Sequence, residues 1–237
     1  MPNYKPCNSS SKVELRKPVN SHLATVQILQ PPIYAVVPAT GRGSRFAAAT
    51  GGQNKLLAKV NDSQDAPTVI GRLLSWLKQL PLTAVFVSRT EEDAALREEV
   101  ARFDVEQVLL KQRPDEMRHS VQAILSAIEH RFSPPTNAGW MLIPSDHFPS
   151  SLELGQRLCT HWREFPDRIV APSFEGKSGH PAIFPWSLVV ELRQLPENFG
   201  VNQLQILQAN RVELIPVDES TVLRDVNLPT DLRSPTA

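Results

Sequence analysis

The sequence predicts an α/β domain of three layers, α/β/α, with a mostly parallel sheet in the middle. Short apolar runs, typical of strands buried on both faces, alternate with segments whose apolar residues recur at helical spacing. We expect strands at 33–37, 84–87, 105–110, 140–143, 168–171, 182–184 and 212–217. We expect helices at 68–80, 91–103, 117–132, 152–165, 186–195 and 203–209. This alternation predicts a sheet that is covered by helices on both faces.

The first strand and two of the helices have the clearest local signals. Proline lacks a backbone N–H, so the pair Pro31-Pro32 is typical of the chain just before a central strand, here 33–37. The segments 68–80 and 117–132 carry their apolar side chains on one helical face, at Val69, Leu73, Leu74, Leu77 and Leu80 and at Val121, Ile124, Leu125 and Ile128. Ligands of such sheets bind where strands end, so the segments after residues 37, 143 and 171 are expected to form a site.

The composition excludes several classes of protein. The chain has 237 residues, of which 41% are apolar, and this favours a folded domain over a disordered chain. Its 25 basic and 25 acidic side chains give zero net charge, which argues against a nucleic-acid partner. No apolar run approaches the roughly 20 residues of a membrane helix, and the N-terminus lacks a signal-peptide core. We therefore expect a cytoplasmic protein without membrane contact, with a polar extension at 1–31 and a domain at 32–237.

A glycine-rich basic segment, Ala39–Lys55, follows the first strand. Gly41 and Gly43 allow the backbone to approach a ligand closely, and consecutive amides in such a turn can bind an anion. Arg45 can bind phosphate oxygens through its fork of N–H donors, and Lys55 can act as a mobile positive charge. The segment matches neither GxxxxGK[ST] nor GxGxxG. We expect it to hold the phosphates of a nucleoside triphosphate, and the alternative is an ordinary flexible connection.

Three later positions carry further candidate side chains. Asp146 follows the fourth strand, where a carboxylate suits Mg²⁺, although it could equally cap the next helix. His147 beside it could contact substrate or be solvated, and we expect it to be solvated. His180, in the turn Gly179-His180-Pro181, can hydrogen-bond a substrate or serve a structural role.

Near the C-terminus, Asp225 and Asn227 lie two residues apart. In an extended segment both side chains would face the same way and could add a second group beside a metal. The alternative is a plain loop with an Asx-turn.

The order of these segments resembles the MobA-like nucleotidyltransferases, and within them the molybdenum cofactor cytidylyltransferases. The first loop of that family reads approximately Leu-Ala-Ala-Gly-x-Ser-x-Arg-Met/Phe-Gly-x-x-Lys. With one extra residue before the serine, it is matched by Ala39, Gly41, Ser44, Arg45, Phe46 and Lys55. The family's Leu-x-Asp-x-Pro, Met-x-x-Ser-Leu, Gly-His-Pro and closing Asp-Ile-Asp-Thr-Pro-Glu-Asp-Leu resemble 143–149, 117–121, 179–181 and 225–232. The resemblance covers about residues 33 to 233.

The resemblance implies a three-layer α/β/α Rossmann-like nucleotidyltransferase fold and the transfer of a nucleoside monophosphate from an NTP, with release of pyrophosphate. It implies Arg45, Lys55 and Asp146 as catalytic residues and Asp146 and Asp225 as ligands of Mg²⁺. The implied nucleotide-binding residues are Ala39, Thr40, Gly41, Arg42, Gly43, Ser44, Arg45, Lys55 and Ser120. His180 and Gly179 would contact the acceptor.

The resemblance also implies the substrates and a protein partner. The acceptor would be molybdopterin carrying molybdenum, and the partner a molybdoenzyme or its chaperone. Ala39-Thr40 is neither the Ala-Ala typical of cytidylyl transfer nor the Ala-Gly typical of guanylyl transfer, and its small residue plus threonine favours CTP over GTP.

The sequence departs from the family at Pro38 and Thr40, in the length before Lys55, and at Asn227, where the family has a second Asp. These departures leave two alternatives open. One is a non-catalytic module that binds a nucleotide or cofactor, and the other is an enzyme that transfers nucleotide to a sugar phosphate or alcohol phosphate.

Overall fold

The computed structural model describes residues 30–232 and contains the predicted alternation of strands and helices. The strands are β1 (Ile33–Pro38), β2 (Ala84–Thr90), β3 (Glu106–Leu110), β4 (Gly139–Leu142), β5 (Ile169–Phe174), β6 (Lys177–Ser178), β7 (Ala182–Pro185) and β8 (Val212–Pro216). The α-helices are α1 (Ser44–Thr50), α2 (Val69–Leu77), α3 (Ala94–Val100), α4 (Met117–Phe132), α5 (Leu152–Glu164), α6 (Val189–Gln194) and α7 (Gln203–Leu207).

The eight strands within residues 30–232 form one sheet that is mostly parallel, as predicted, although β6 was not among the seven expected strands. Its order is β3-β2-β1-β4-β7-β5-β6, and β8 pairs with β5. The pairs β1–β2, β1–β4, β2–β3 and β5–β8 are parallel, whereas β7 is antiparallel to both β4 and β5. The fold is therefore α/β with helices on both faces, which confirms the predicted class.

The core lies on both faces of this sheet because successive side chains of a strand point in opposite directions. In β1, Ile33, Ala35 and Val37 belong to one apolar cluster, whereas Tyr34 and Val36 belong to the other. The first cluster includes residues of α2 and α5, and the second includes residues of α4 and α6. Both faces of β1 are thus buried, and a rigid sheet carries the segments that follow each strand.

The parallel strands β1, β2, β3 and β4 end at one edge of the sheet. The segments that follow them, starting at residues 39, 91, 111 and 143, therefore begin side by side. Ligands of doubly wound sheets bind at this edge. The predicted site residues of the first and fourth strand ends are brought to the same place by this topology.

The structure adds one helix that the sequence pattern did not predict. The segment 39–55 contains α1, which begins at Ser44, directly after Gly43 in the left-handed region (φ 56°), and ends before Gly51 (φ 71°). It is therefore not an ordinary flexible connection along its whole length.

The predicted N-terminal extension, residues 1–31, lies outside the described residues except for its last two. Within residues 30–232, no helix combines the length and the apolar composition that a bilayer crossing requires.

Candidate active site

A cavity of about 350 Å³, which we call the loop cavity, opens beside the segment that follows β1. It is lined by Pro38, Thr40, Gly41, Arg42, Lys55, Leu56, Pro114, Asp115, Met117, Pro144, Ser145 and Asp146. These residues come from the ends of β1 and β4, from Lys55 and Leu56 after α1, and from the start of α4 with the segment before it. The cavity therefore lies at the sheet edge where the sequence predicted a ligand.

The two glycines of the segment serve different purposes. A Cβ atom on Gly41 would meet nothing within 4 Å, so this residue presents bare backbone to open space. A Cβ on Gly43 would lie 3.3 Å from Cγ of Lys55, and the positive φ of Gly43 is itself unfavourable for other residues. Gly43 thus leaves room for the aliphatic chain of Lys55, which explains how a residue beyond α1 reaches the cavity.

Lys55 forms an ion pair with Asp146 across the loop cavity, from Nζ to Oδ2. Both side chains are largely buried, with 14% and 18% of their surface exposed. The helix-cap alternative for Asp146 does not hold, because Ser151 caps α5 by accepting a hydrogen bond from the N–H of Leu154. Asp146 is therefore held at the site by Lys55. An anionic ligand that binds Lys55 in its place would release the carboxylate of Asp146.

His147 is buried, with 1% of its side chain exposed, so the expectation that it is solvated was wrong. Its main chain pairs with that of Asp225, and its Nδ1 lies 3.0 Å from Oδ1 of the same residue. No local sequence pattern predicts this contact, since it joins residues 78 positions apart. Burial tends to raise the pKa of Asp225, but the hydrogen bond and charge of His147, together with His180 and Lys55, bring it below its ordinary value.

His180 lies edge-on to His147, with ring centroids 5.5 Å apart. Burial lowers the pKa of His180 to about 4, and the neighbouring His147 acts in the same direction. The ring is therefore neutral near pH 7. Nδ1 of His180 and Nε2 of His147 are both buried without a hydrogen-bond partner within the described residues.

A second cavity of about 350 Å³, which we call the histidine cavity, adjoins this pair. It is lined by Glu116, Met117, Arg118, Leu142, Ser178, Gly179, His180, Ala182, Phe184, Gly200, Val201, Asn202 and Gln205. Met117 lines both cavities, so the two are neighbours. The predicted acceptor residues Gly179 and His180 thus lie beside, and not within, the loop cavity.

The loop side chains Arg42 and Arg45 are exposed. Arg45 donates to Oδ1 of Asn227 over 2.6 Å, whereas Arg42 lies 3.8 Å from Asp115. The predicted pair of Asp225 and Asn227 is therefore divided between two partners: Asp225 contacts His147, and Asn227 contacts Arg45. The Ser44 side chain is exposed at the start of α1.

Ala39, Thr40 and Ser120 are buried. The N–H of Ala39 donates to Oγ of Ser88, and the hydroxyls of Thr40 and Ser120 lie 2.5 Å apart. Ser120 thus lies behind Thr40. The hydroxyl of Ser120 holds the side chain of Thr40, which lines the loop cavity.

The clearest residue that sequence reasoning missed is Arg113. It donates to the carbonyl oxygens of Thr40 and Gly41 and forms an ion pair with Asp93. The only signal in the sequence is an arginine after the third predicted strand, which does not distinguish it from a surface arginine.

No group of three or more His, Cys, Asp or Glu side chains within residues 30–232 is arranged to hold a metal ion by itself. Mg²⁺ commonly takes only one or two protein carboxylates and fills its remaining positions with substrate phosphates and water. The carboxylates of Asp146 and Asp225, on paired main-chain segments and both close to Lys55, fit that smaller role.

The sequence profile of the MobA-like NTP transferase domain family matches residues 35–212. This span is more than half of the chain, and the chain belongs to that family. The matched residues include the segment after β1, Lys55, Asp146 and His180. Asp225 lies beyond the end of the match. No curated protein matches the sequence.

Solved structures show the same fold. A nucleotidyl transferase from Methanothermobacter has a TM-score of 0.66 and 18% identity, covering 84% of this chain and 94% of its own. Rv0371c from Mycobacterium tuberculosis H37Rv, in complex with manganese, has a TM-score of 0.62 and 22% identity, covering 85% and 96%. A CMP:2-keto-3-deoxy-manno-octonic acid synthetase complexed with CTP has a TM-score of 0.61 and 13% identity, covering 85% and 95%.

Proposed function

We propose that this MobA-like NTP transferase moves a nucleoside monophosphate from an NTP to a phosphorylated acceptor and releases pyrophosphate. The observation that carries the proposal is the ion pair of Lys55 and Asp146, which joins the segment after β1 to the segment after β4 at the wall of the loop cavity. A lysine and an acid that meet at this edge of the sheet provide opposite charges for a phosphate and for a metal ion.

The reaction needs no nucleophile from the protein. A phosphate oxygen of the acceptor attacks the α-phosphorus, the bond from that phosphorus to the β-phosphate oxygen breaks, and pyrophosphate leaves. Lys55 leaves its contact with Asp146, binds the α-phosphate instead, and offsets the negative charge that develops there. Arg45 and the N–H groups of the segment Gly41–Ser44 hold the β- and γ-phosphates.

A divalent cation, Mg²⁺ by preference, belongs to this proposal. Asp146 and Asp225 would hold it, and each uses only one carboxylate oxygen in its contact with Lys55 or His147. The ion would offset phosphate charge as the reaction proceeds. The manganese complex of Rv0371c, a protein of the same fold, supports a divalent ion.

We propose CTP as the preferred nucleotide and a molybdopterin-type acceptor. Thr40 lines the loop cavity with its hydroxyl held by Ser120, and it is bulkier than the Ala or Gly that the family has there, which favours the smaller pyrimidine over guanine. The CTP complex of a synthetase with the same fold supports an NTP substrate. The acceptor would occupy the histidine cavity, which shares Met117 with the loop cavity, and a molybdoenzyme or its chaperone would receive the product.

The test is pyrophosphate release from CTP, GTP, ATP and UTP with three acceptors: molybdopterin carrying molybdenum, a sugar phosphate and an alcohol phosphate. We expect turnover with CTP and the molybdopterin acceptor, and its loss in Asp146→Asn. The matched control is Asp104→Asn. It also breaks a lysine–aspartate pair, in which Nζ of Lys78 lies 2.9 Å from Oδ2 of Asp104, but this pair is at the opposite edge of the sheet.

Each other result has a definite meaning. Turnover with a sugar or alcohol phosphate would support the proposed reaction and refute the molybdopterin acceptor. Tight nucleotide binding without turnover on any acceptor would favour a binding module. An Asp146→Asn variant as active as the wild type would refute the metal role of this residue.

A further inference from the structure

Arg113 links three consecutive segments at the carboxyl edge of the sheet. It precedes α4, and its Nη1 donates to the carbonyl oxygen of Thr40 over 2.6 Å and to that of Gly41 over 3.3 Å. Its Nη2 lies 3.1 Å from both carboxylate oxygens of Asp93, in the segment after β2. Asp93 is in turn fixed by the hydroxyl of Thr90 at the end of β2, over 2.7 Å.

The two carbonyl contacts determine the orientation of two peptide groups. A trans peptide is planar, and its C=O and N–H bonds point in opposite directions. Because Arg113 holds the C=O groups of Thr40 and Gly41, the N–H groups of Gly41 and Arg42 point away from Arg113. Within residues 30–232, neither N–H donates to a protein acceptor. They are two adjacent donors beside the loop cavity, which Arg113 itself does not line.

The charge of Arg113 is already balanced. The side chains of Arg113 and Asp93 are 21% and 14% exposed, so their ion pair is only moderately screened by water. An arginine whose charge is offset in this way contributes little attraction for a triphosphate at a distance. Its effect on a nucleotide therefore passes through the backbone that it holds. A lysine cannot replace it fully, because an ammonium group lacks the planar fork that reaches a carboxylate and two carbonyl groups together.

We propose that Arg113, anchored by Asp93, is a positioning residue that turns the N–H groups of Gly41 and Arg42 toward the phosphates of the nucleotide. This inference rests on the proposed function, since it assigns a role within the same NTP site. It adds to that function two residues, Arg113 and Asp93, that no family motif in the sequence marks.

The experiment compares Arg113→Ala, Arg113→Lys and Asp93→Asn with the wild type. Equilibrium binding of CTP is measured by calorimetry, and the rate of tryptic cleavage after Arg42 is measured without nucleotide. The matched control is Arg89→Ala, which removes an arginine at the same edge that bonds Gln107 over 2.6 Å and does not contact Thr40 or Gly41.

We expect Arg113→Ala to weaken CTP binding by about 10- to 100-fold, or about 1.4–2.8 kcal/mol for the pair, because the two N–H donors lose their fixed orientation. Cleavage after Arg42 should accelerate at least about fivefold, because a released segment opens more often. Arg113→Lys should recover part of the affinity, Asp93→Asn should lose less than Arg113→Ala, and Arg89→Ala should match the wild type.

A purely structural role would give a different result, because a partly unfolded sample lowers the active fraction without changing the dissociation constant of the folded molecules. If Arg113→Ala does not fold, Arg113→Lys and Asp93→Asn decide the question by the same two measurements. Unchanged CTP affinity in a folded variant, or unchanged cleavage after Arg42, would overturn the inference while the proposed function stands. A wild type that binds no NTP would overturn the proposed function and this inference with it.

Discussion

The loop cavity and the histidine cavity meet at Met117 and are built in different ways. The loop cavity presents charged groups with exchangeable partners, above all Lys55 on Asp146. The histidine cavity presents mostly neutral groups, and Arg118, which is buried there, already donates to the carbonyl groups of residues 195, 196 and 197. His180 is neutral near pH 7 because burial lowers its pKa to about 4.

This difference indicates how each cavity meets its ligand. A charged ligand can enter the loop cavity by replacing contacts that the protein already makes, so the cost of removing its charge from water is offset there. The histidine cavity is instead preformed by packing. We therefore expect changes in the loop cavity to alter kinetics more than stability, and changes beside the histidine cavity to alter stability first.

The largest expected effect comes from Lys55→Met, which keeps an unbranched side chain of similar volume and removes its charge. We expect kcat to fall by about 10²–10³-fold, since one donor to the developing charge is lost. Pyrophosphate release with CTP measures it. The control is Lys78→Met, which removes the lysine of the other pair, with Asp104, and should leave turnover within about twofold of the wild type because that pair is exposed. Full turnover in Lys55→Met would contradict the expectation that changes in the loop cavity mainly alter kinetics.

The second effect is a pH dependence that belongs to His180. Its folded pKa of about 4 lies below the ordinary value of 6.5, so between these values the unfolded chain binds a proton that the folded chain does not. Stability should therefore fall as the pH falls from 6.5 to 4, by about 3 kcal/mol in total, and His180 adds no further loss below that range. The lowered pKa of Asp225 acts below its ordinary value of 3.8, outside this window.

Urea unfolding at pH 7, 5.5 and 4.5 measures this dependence, and the difference between the wild type and His180→Asn isolates it from the other titrating groups. We expect the variant to lose much less stability than the wild type over that range. Parallel pH profiles of the two proteins would show that the buried ring does not account for the acid sensitivity.

The third effect contrasts two glycines. A Cβ on Gly179 would overlap the carbonyl oxygen of Val222, so Gly179→Ala must displace backbone beside the histidine cavity, at a cost of about 1–3 kcal/mol. We expect its Tm to fall by roughly 2–12 °C. Gly41→Ala meets no atom within 4 Å and should keep the Tm while raising KM for CTP. Equal Tm losses in the two variants would contradict the proposed division.

Much of the fold could be predicted because its signals are local. The continuous apolar run of β1 and the helical spacing of α4 each reflect burial of a whole element, and both elements lie where they were expected. The helix α1 could not be predicted, since its seven residues are mostly small and only Phe46 is buried. Such a short helix depends on its tertiary setting, including the close approach of Lys55 to Gly43.

The site could be predicted only in part, for the same physical reason. Lys55 and Asp146 were each expected in a segment that follows a strand, and the parallel topology brings the two segments together. The contacts of His147 with Asp225 and of Arg113 with Thr40 join residues 78 and 73 positions apart, on elements whose relative placement no local pattern specifies.

The smallest expected effect comes from Asn227→Asp, which restores the acid of the family motif. Because Oδ1 of Asn227 accepts from Arg45 over 2.6 Å, we expect the new carboxylate to hold Arg45 more firmly and to compete with the triphosphate for it. The pair is exposed, so the effect should not exceed about 1 kcal/mol, which is a rise of at most about fivefold in KM for CTP. The concentration of Mg²⁺ that gives half-maximal turnover should stay unchanged. If Asn227 instead stands beside the metal, the added charge would lower that concentration and leave KM for CTP as it was. Titrating CTP and Mg²⁺ with the two proteins therefore decides whether this residue acts on Arg45 or on the metal ion.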